Sequence, residues 1–350
     1  MTPPVRTSHW FLTSSIVLLC AWSRPAVAQE PSLPFQGTDQ IEVLEQPELR
    51  SRRLSGRIED ISGETLTLRV NGRGVVELFR ITDITEIQFA RGPDFAAALE
   101  LQQQGDFVKA NDFIDRELQT ETRRWAWNEM QAVAAINEIH LGRRREAVQR
   151  IEQIMVYDRR TRHVSLLPLV WDERLPAAER LTATPDELNS ESLVTRLCAA
   201  SALLHEPEHR KNATDVLHRI RRESGLGRIN QLAETQLWRL AVLKDSAERN
   251  ALLNVWDDRL ATLPVTTRSG PQFVVARSFQ QNFQYDKAAL RFLWLPLVSC
   301  HDDALAALAT KEAVHCLTEA GRLEDADRYQ HELQSRFPKE SASQSDTKAP

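Results

Sequence analysis

A six-residue pattern at the junctions between helices constrains the fold of this chain more than any other sequence feature. In three segments, a Gly is followed by four residues and then by an Ala: Gly105–Ala110, Gly142–Ala147 and Gly321–Ala326. Glycine turns a chain between antiparallel helices because it adopts a positive φ at little cost. Alanine lets the two helices cross closely. The first two copies begin 37 residues apart, which is close to the length of one helical-hairpin repeat.

Helical periodicity surrounds these junctions. One apolar stripe, for example, consists of Phe107, Ala110, Ile114 and Leu118, a spacing that places all four side chains on one face of a helix. Pro and Gly residues interrupt the pattern at short intervals after Pro93. We therefore predict about ten to twelve helices over residues 93–337, with a less regular stretch at 158–186.

The last of the three junctions carries a family resemblance. Ala320–Ala326, followed by Tyr329, Leu333 and the Phe337-Pro338 pair, resembles the second helix of a tetratricopeptide repeat. The resemblance extends over 94–158 and 302–338 and reaches 187–295 through degenerate copies. The chain departs from the family in lacking the Trp-Leu-Gly pattern of the first helix, so a related α-solenoid stays open. The resemblance implies an α-solenoid of helical hairpins with a concave surface that binds a protein or peptide, and no chemistry of its own.

Residues 51–92 have a shorter period that is typical of strands. Leu66, Leu68 and Val70 alternate with polar residues, and Asn71-Gly72 follows them, a dipeptide that favours a tight hairpin. We predict a small antiparallel β sheet or barrel of about four strands. Because about 40 residues bury little core alone, this unit should pack on the helices or on another chain. Residues 29–50 are predicted to be a linker and residues 338–350 a disordered tail.

Residues 1–28 have the layout of a cleavable secretory signal peptide. Arg6 precedes an apolar run from Phe11 to Trp22, and Ala26-Val27-Ala28 is typical of a cleavage site. The run is too short to cross a bilayer, which requires about 20 residues, and no later segment is apolar over that length. We therefore expect an exported protein, periplasmic or secreted, with no integral membrane segment after cleavage.

Charge and cysteine content narrow the function further. The formal net charge is −5, and loss of the two arginines in 1–28 makes it more negative, which disfavours nucleic acid as a partner. Three cysteines remain after cleavage, Cys198, Cys300 and Cys316. An odd number predicts at least one unpaired thiol. Gly225-Leu226-Gly227 lacks the rest of a phosphate-loop pattern, so no cofactor is expected.

One short motif could carry chemistry. His205-Glu206-Pro207-Glu208-His209 matches the H-E-x-x-H zinc motif, in which two histidines one helical turn apart bind the metal. Pro207 lies between the two histidines and would break such a helix at a cost of about 3 kcal/mol. We therefore predict no catalytic, cofactor-binding or metal-binding residues and no enzyme activity. A zinc-dependent envelope hydrolase that uses His205, Glu206 and His209 is the alternative.

The sequence thus favours a non-catalytic protein-binding scaffold of the bacterial cell envelope, and it leaves the oligomeric state open. Most of the six tryptophans of the mature chain lie in apolar helical stretches and are expected in the core. Trp125 and Trp127 cannot both face inward, because side chains two residues apart on a helix point in nearly opposite directions. In a further alternative, the β unit anchors the protein and the helical array acts only as a spacer.

Overall fold

The computed structural model describes residues 38–45, 50–72, 74–223, 225, 227–298 and 301–337. The predicted signal peptide, the predicted tail and Cys300 lie outside these residues. Within them, a five-stranded antiparallel sheet precedes twelve α-helices, so the chain is mainly helical with a small β unit at its start. None of the helices in these ranges combines the length and the apolar character needed to cross a membrane.

The strands are β1 (Asp39–Glu45), β2 (Arg50–Ser62), β3 (Thr65–Val70), β4 (Val76–Arg80) and β5 (Ile84–Gln88). Their order in the sheet is β4-β3-β2-β1-β5. Alternation places Ile41, Ile58 and Leu66 on the buried face, because successive strand residues point to opposite sides.

The sheet differs from the prediction in two places. Strand β1 lies inside the stretch 29–50 that we interpreted as a linker. Its alternation of buried Ile41 and Val43 with partly exposed Glu42 is too short to stand out beside the prolines around it. The connection from β3 to β4 also runs from residue 71 to residue 75. It is wider than the tight hairpin expected from Asn71-Gly72, because Gly74 adds a second positive φ after that of Gly72.

The helices are α1 (Pro93–Gln103), α2 (Phe107–Leu118), α3 (Arg124–His140), α4 (Arg144–Tyr157), α5 (Leu193–Leu203), α6 (Arg210–Arg222), α7 (Arg228–Trp238), α8 (Ser246–Thr262), α9 (Ser269–Gln281), α10 (Tyr285–Val298), α11 (Asp303–Glu319) and α12 (Leu323–Arg336). Short 3₁₀ helices occupy Ile81–Asp83, Arg162–Leu166, Ala177–Glu179, Pro185–Asn189, Arg239–Leu243 and Val265–Thr267. The predicted helix number is confirmed.

The three Gly-to-Ala junctions have the geometry that the sequence predicts. Gly105, Gly142 and Gly321 have φ angles of 79°, 71° and 75°, and the alanines five residues later are all buried. A Cβ at any of the three glycines would meet nothing within 4 Å. Glycine is therefore required there for its backbone conformation and not for space.

The sheet packs directly on the first helices, which is one of the two arrangements expected from the sequence. Phe89 follows β5, and its ring stacks on Phe95 of α1 and meets Trp125 of α3 edge-on, with centroids 5.9 and 5.2 Å apart. These rings belong to one buried cluster with the inward residues of the strands. The β unit and the start of the helical region therefore share a core.

The connecting segment, residues 158–192, joins α4 to α5 and has no α-helix, as predicted for 158–186. Four of its residues, among others, contact helices that are far apart in the sequence. Its Arg162, Val170, Trp171 and Arg174 contact Glu129 of α3, Ser201 of α5, Gly270 of α9 and Glu312 of α11. The segment therefore covers part of the surface of these helices.

A second long-range contact joins distant helices. Arg144 at the start of α4 donates from Nη1 to the carboxylate of Asp302 at the start of α11, 3.1 Å away. His140, at the end of α3, lies 3.5 Å from Asp303 through Nδ1. The helices therefore contact more than their neighbours along the chain.

Candidate functional site

The residues of the zinc motif do not come together around one point. Helix α5 ends at Leu203 and α6 begins at Arg210, so Pro207 lies in the turn between them. His205 approaches Glu173 at 3.4 Å, whereas His209 lies 4.0 Å from Glu206. Across the described ranges, no three His, Cys, Asp or Glu side chains are grouped so that they could hold a metal ion.

The described cysteines are poor nucleophiles. Cys198 and Cys316 are free and buried. Burial raises the pKa of the Cys198 thiol far above its usual range, and it raises the pKa of the Cys316 thiol to about 12. Because the thiolate is the reactive form, neither residue suits covalent catalysis.

The tryptophans differ in their exposure to solvent, and the sequence indicates this difference only in part. Trp125 is buried, and Trp127 is partly exposed and meets the ring of Tyr157 edge-on at 5.8 Å. The prediction that both cannot face inward is confirmed. Trp238 and Trp256 are buried, as expected for core residues, and they also border a surface cavity. The sequence carries no signal for this, since it depends on how α7 and α8 pack.

The cavity, here called the tryptophan groove, has a volume of about 550 Å³ and lies where α6, α7 and α8 meet. Successive helices pack on each other along the chain, and their contact is weakest between α7 and α8. The groove occupies this gap. Its lining residues are His218, Arg221, Glu234, Leu237, Trp238, Ala241, Lys244, Leu252, Val255, Trp256, Asp258, Arg259 and Thr262.

The narrow buried stripe of α8 explains why the gap remains open. Only Leu253, Trp256 and Leu260 of this 17-residue helix are buried, a spacing that covers one side of the helix. The Trp256 ring stacks on Trp238 with centroids 5.1 Å apart and planes 15° apart. Val255, next to this pair, is 62% exposed. The groove therefore has an aromatic floor and an exposed apolar edge.

The walls of the groove carry unequal charge. Arg259 of α8 is paired with Glu234 at 3.0 Å, and Lys244 is paired with Glu248. Arg221 of α6 has no carboxylate within ion-pair distance among the described residues. Burial, and then the guanidinium groups of Arg221 and Arg222, lower the pKa of His218 on the same wall. The wall formed by α6 is therefore positive, whereas Asp258 on α8, which has no cation within ion-pair distance among the described residues, makes the opposite wall negative.

This arrangement is suited to binding. The exposed apolar edge at Val255 can be covered by apolar side chains, which favours association by about 25 cal/mol for each Å² removed from water. The α6 wall can pair with a carboxylate. Searches against protein-family models, curated protein sequences and solved structures each found no match.

Proposed function

We propose that this protein is an exported, non-catalytic scaffold with a tetratricopeptide-like helical-repeat architecture, and that it binds a partner protein through the tryptophan groove. The observation that carries the proposal is an open cavity in which the exposed Val255 lies at the edge of a buried, stacked Trp238–Trp256 pair. Aromatic residues in pockets dominate the binding energy of protein interfaces. The β unit contributes to the core of the first helices and supports the array.

The charges of the groove define the chemistry of the partner. A segment that presents apolar side chains to Val255 and a carboxylate to Arg221, away from Asp258, complements both the apolar edge and the α6 wall. Electrostatic complementarity of this kind contributes mainly to specificity and to the association rate. We therefore propose as the occupant an apolar peptide segment of a partner protein that carries a carboxylate beside its apolar side chains.

Export is supported by the order of charge, apolar run and small-residue triplet in residues 1–28. It places the partner outside the cytoplasm, in the periplasm or beyond. The native protein should then begin at Gln29 when its N-terminus is measured by mass spectrometry. A mature N-terminus that retains the first 28 residues would contradict this part of the proposal.

The binding proposal is tested by a photo-reactive amino acid at position 255 in the native host. Leu323, 61% exposed and located at the start of α12, provides a matched control for Val255, which is 62% exposed. We expect a defined adduct with a partner protein from position 255 and none of that adduct from position 323.

The Val255→Glu variant should lose at least tenfold in affinity for the captured partner, measured with purified proteins, because a carboxylate would be desolvated beside the ring of Trp256. The Leu323→Glu variant should bind as the unchanged protein does. Equal binding by the two variants, or the same adduct from both positions, would overturn the groove as the site.

A further inference from the structure

A second cavity lies where the β unit meets the helices, and the proposed function does not use it. Its volume is about 810 Å³. It is bounded by the turn between β2 and β3, by the residues that follow α4, and by the start of α7. Arginines contribute from two of these places, Arg159 and Arg160 after α4 and Arg228 as the first residue of α7.

Arg228 is a buried cation with too few hydrogen-bond acceptors. It is only 6% exposed, and its Nε and Nη1 atoms find no hydrogen-bond acceptor among the described residues. Its Nη2 lies 3.4 Å from the carboxylate of Glu64, which is itself 63% exposed. Burial lowers the pKa of Arg228. Buried donors without acceptors are costly, so their presence indicates a site for an acceptor from outside the chain.

The start of α7 supplies further donors. Gly227, with φ 44°, occupies the N-cap position and has no side chain to accept from the first turn. The first N–H groups of a helix have no partner within it, and together with the helix dipole they favour an anion. Gly225 also has a positive φ, of 84°. The two glycines lie just before a helix, as glycines do in phosphate loops, although the rest of that motif is missing.

The charge of the cavity is positive once its internal pairs are counted. Asp158 is already engaged, since its carboxylate accepts from the backbone N–H groups of Gly63 at 2.8 Å and Arg160 at 3.0 Å. Arg159 and Arg160 are both exposed. Neither has a carboxylate within ion-pair distance in the described part of the chain. Three guanidinium groups thus share the cavity with two carboxylates, those of Asp158 and Glu64, which leaves an excess of one positive charge.

We propose that this cavity binds a phosphate group, held by Arg228, the exposed Arg159–Arg160 pair and the N-terminus of α7. Guanidinium groups bind phosphate oxygens through paired, charge-assisted hydrogen bonds, and an anion in the cavity would balance its excess positive charge. The volume exceeds what a bare phosphate fills, so the group belongs to a larger phosphomonoester or to a lipid headgroup.

Calorimetric titration of the full mature chain with inorganic phosphate, at constant ionic strength set with chloride, tests the proposal. Vesicles of phosphatidylcholine with and without phosphatidic acid form the second arm. The Arg159→Gln/Arg160→Gln variant should weaken binding at least tenfold while keeping the fold, because both side chains are exposed. The Lys211→Gln/Arg328→Gln variant removes the same charge from exposed positions elsewhere and should bind as before.

Saturable binding of free phosphate that the site variant loses supports a soluble ligand. Binding only to vesicles with phosphatidic acid, again lost in the site variant, supports a lipid headgroup. The Arg228→Gln variant should weaken whichever binding is found, with its circular dichroism unchanged. The absence of binding in both arms, or equal weakening by the site and control variants, would overturn the proposal without affecting the tryptophan groove.

Discussion

Replacement of Glu129 by Gln should release the connecting segment from α3 in a pH-dependent way. Glu129 lies on α3 and holds two consecutive residues of the segment. Its Oε2 accepts from Nη2 of Arg162 at 2.6 Å, and its Oε1 lies 3.0 Å from Nε2 of His163. All three side chains are mostly buried, so solvent screens these contacts little.

The magnitude follows from the pKa of the carboxyl group. Burial alone would raise the pKa of Glu129, but His163 and Arg162 outweigh burial and lower it from 4.5 to about 2. One pKa unit corresponds to about 1.4 kcal/mol, so the pairing contributes about 3 kcal/mol to the free energy of unfolding. Because the pKa is lowered in the folded state, this contribution is complete above pH 4.5 and is lost as the pH falls towards 2.

Urea unfolding of the unchanged protein and of Glu129→Gln, at pH 7 and pH 3, measures this contribution. We expect the variant to be less stable by about 3 kcal/mol at pH 7 and by about half of that at pH 3. Glu146→Gln, at an exposed position on α4, is the control and should change little at either pH. An equal loss of stability at both pH values for Glu129→Gln would refute the reasoning, since a purely steric effect does not titrate.

Two glycine substitutions test different physical constraints. Gly142→Ala should lower the free energy of unfolding by about 1–2 kcal/mol, since its φ of 71° is unfavourable for a residue with a Cβ. The control variant, Glu146→Ala, should change the free energy of unfolding by less than about 0.5 kcal/mol. Equal urea midpoints for the two variants would contradict the role given to the Gly-to-Ala junctions. Gly270→Ala would place a Cβ 1.8 Å from the Trp171 ring and should cost about 1–3 kcal/mol. It should also speed hydrogen exchange in the connecting segment, and unchanged exchange there would argue against the packing of Trp171 on α9.

Much of the helical region could be predicted because its signals are local. The glycines at 105, 142 and 321 each need a positive φ, and that requirement is visible in the residue type alone. The same holds for Trp125 and Trp127, whose opposite directions follow from helix geometry. Strand β1 was missed because an alternation as short as Ile41-Glu42-Val43 gains its meaning only from pairing with β2 and β5.

The candidate sites could not be predicted for the same reason. Trp238 and Trp256 are 18 residues apart, and each alone is typical of a core position. Arg228 and Glu64 are separated by most of the β unit and six helices. No local sequence pattern indicates that the two residues of either pair lie close together in the structure.

Local backbone preference and periodicity along the chain were enough to establish a helical protein with a small β unit and with glycine at its turns. Tertiary packing decided which surfaces remain available. The connecting segment covers part of several helices, α7 and α8 leave a groove, and Arg228 is buried without enough acceptors. These features depend on contacts between residues far apart in sequence, and the periodicity of each helix carries no information about which distant side chain will meet it.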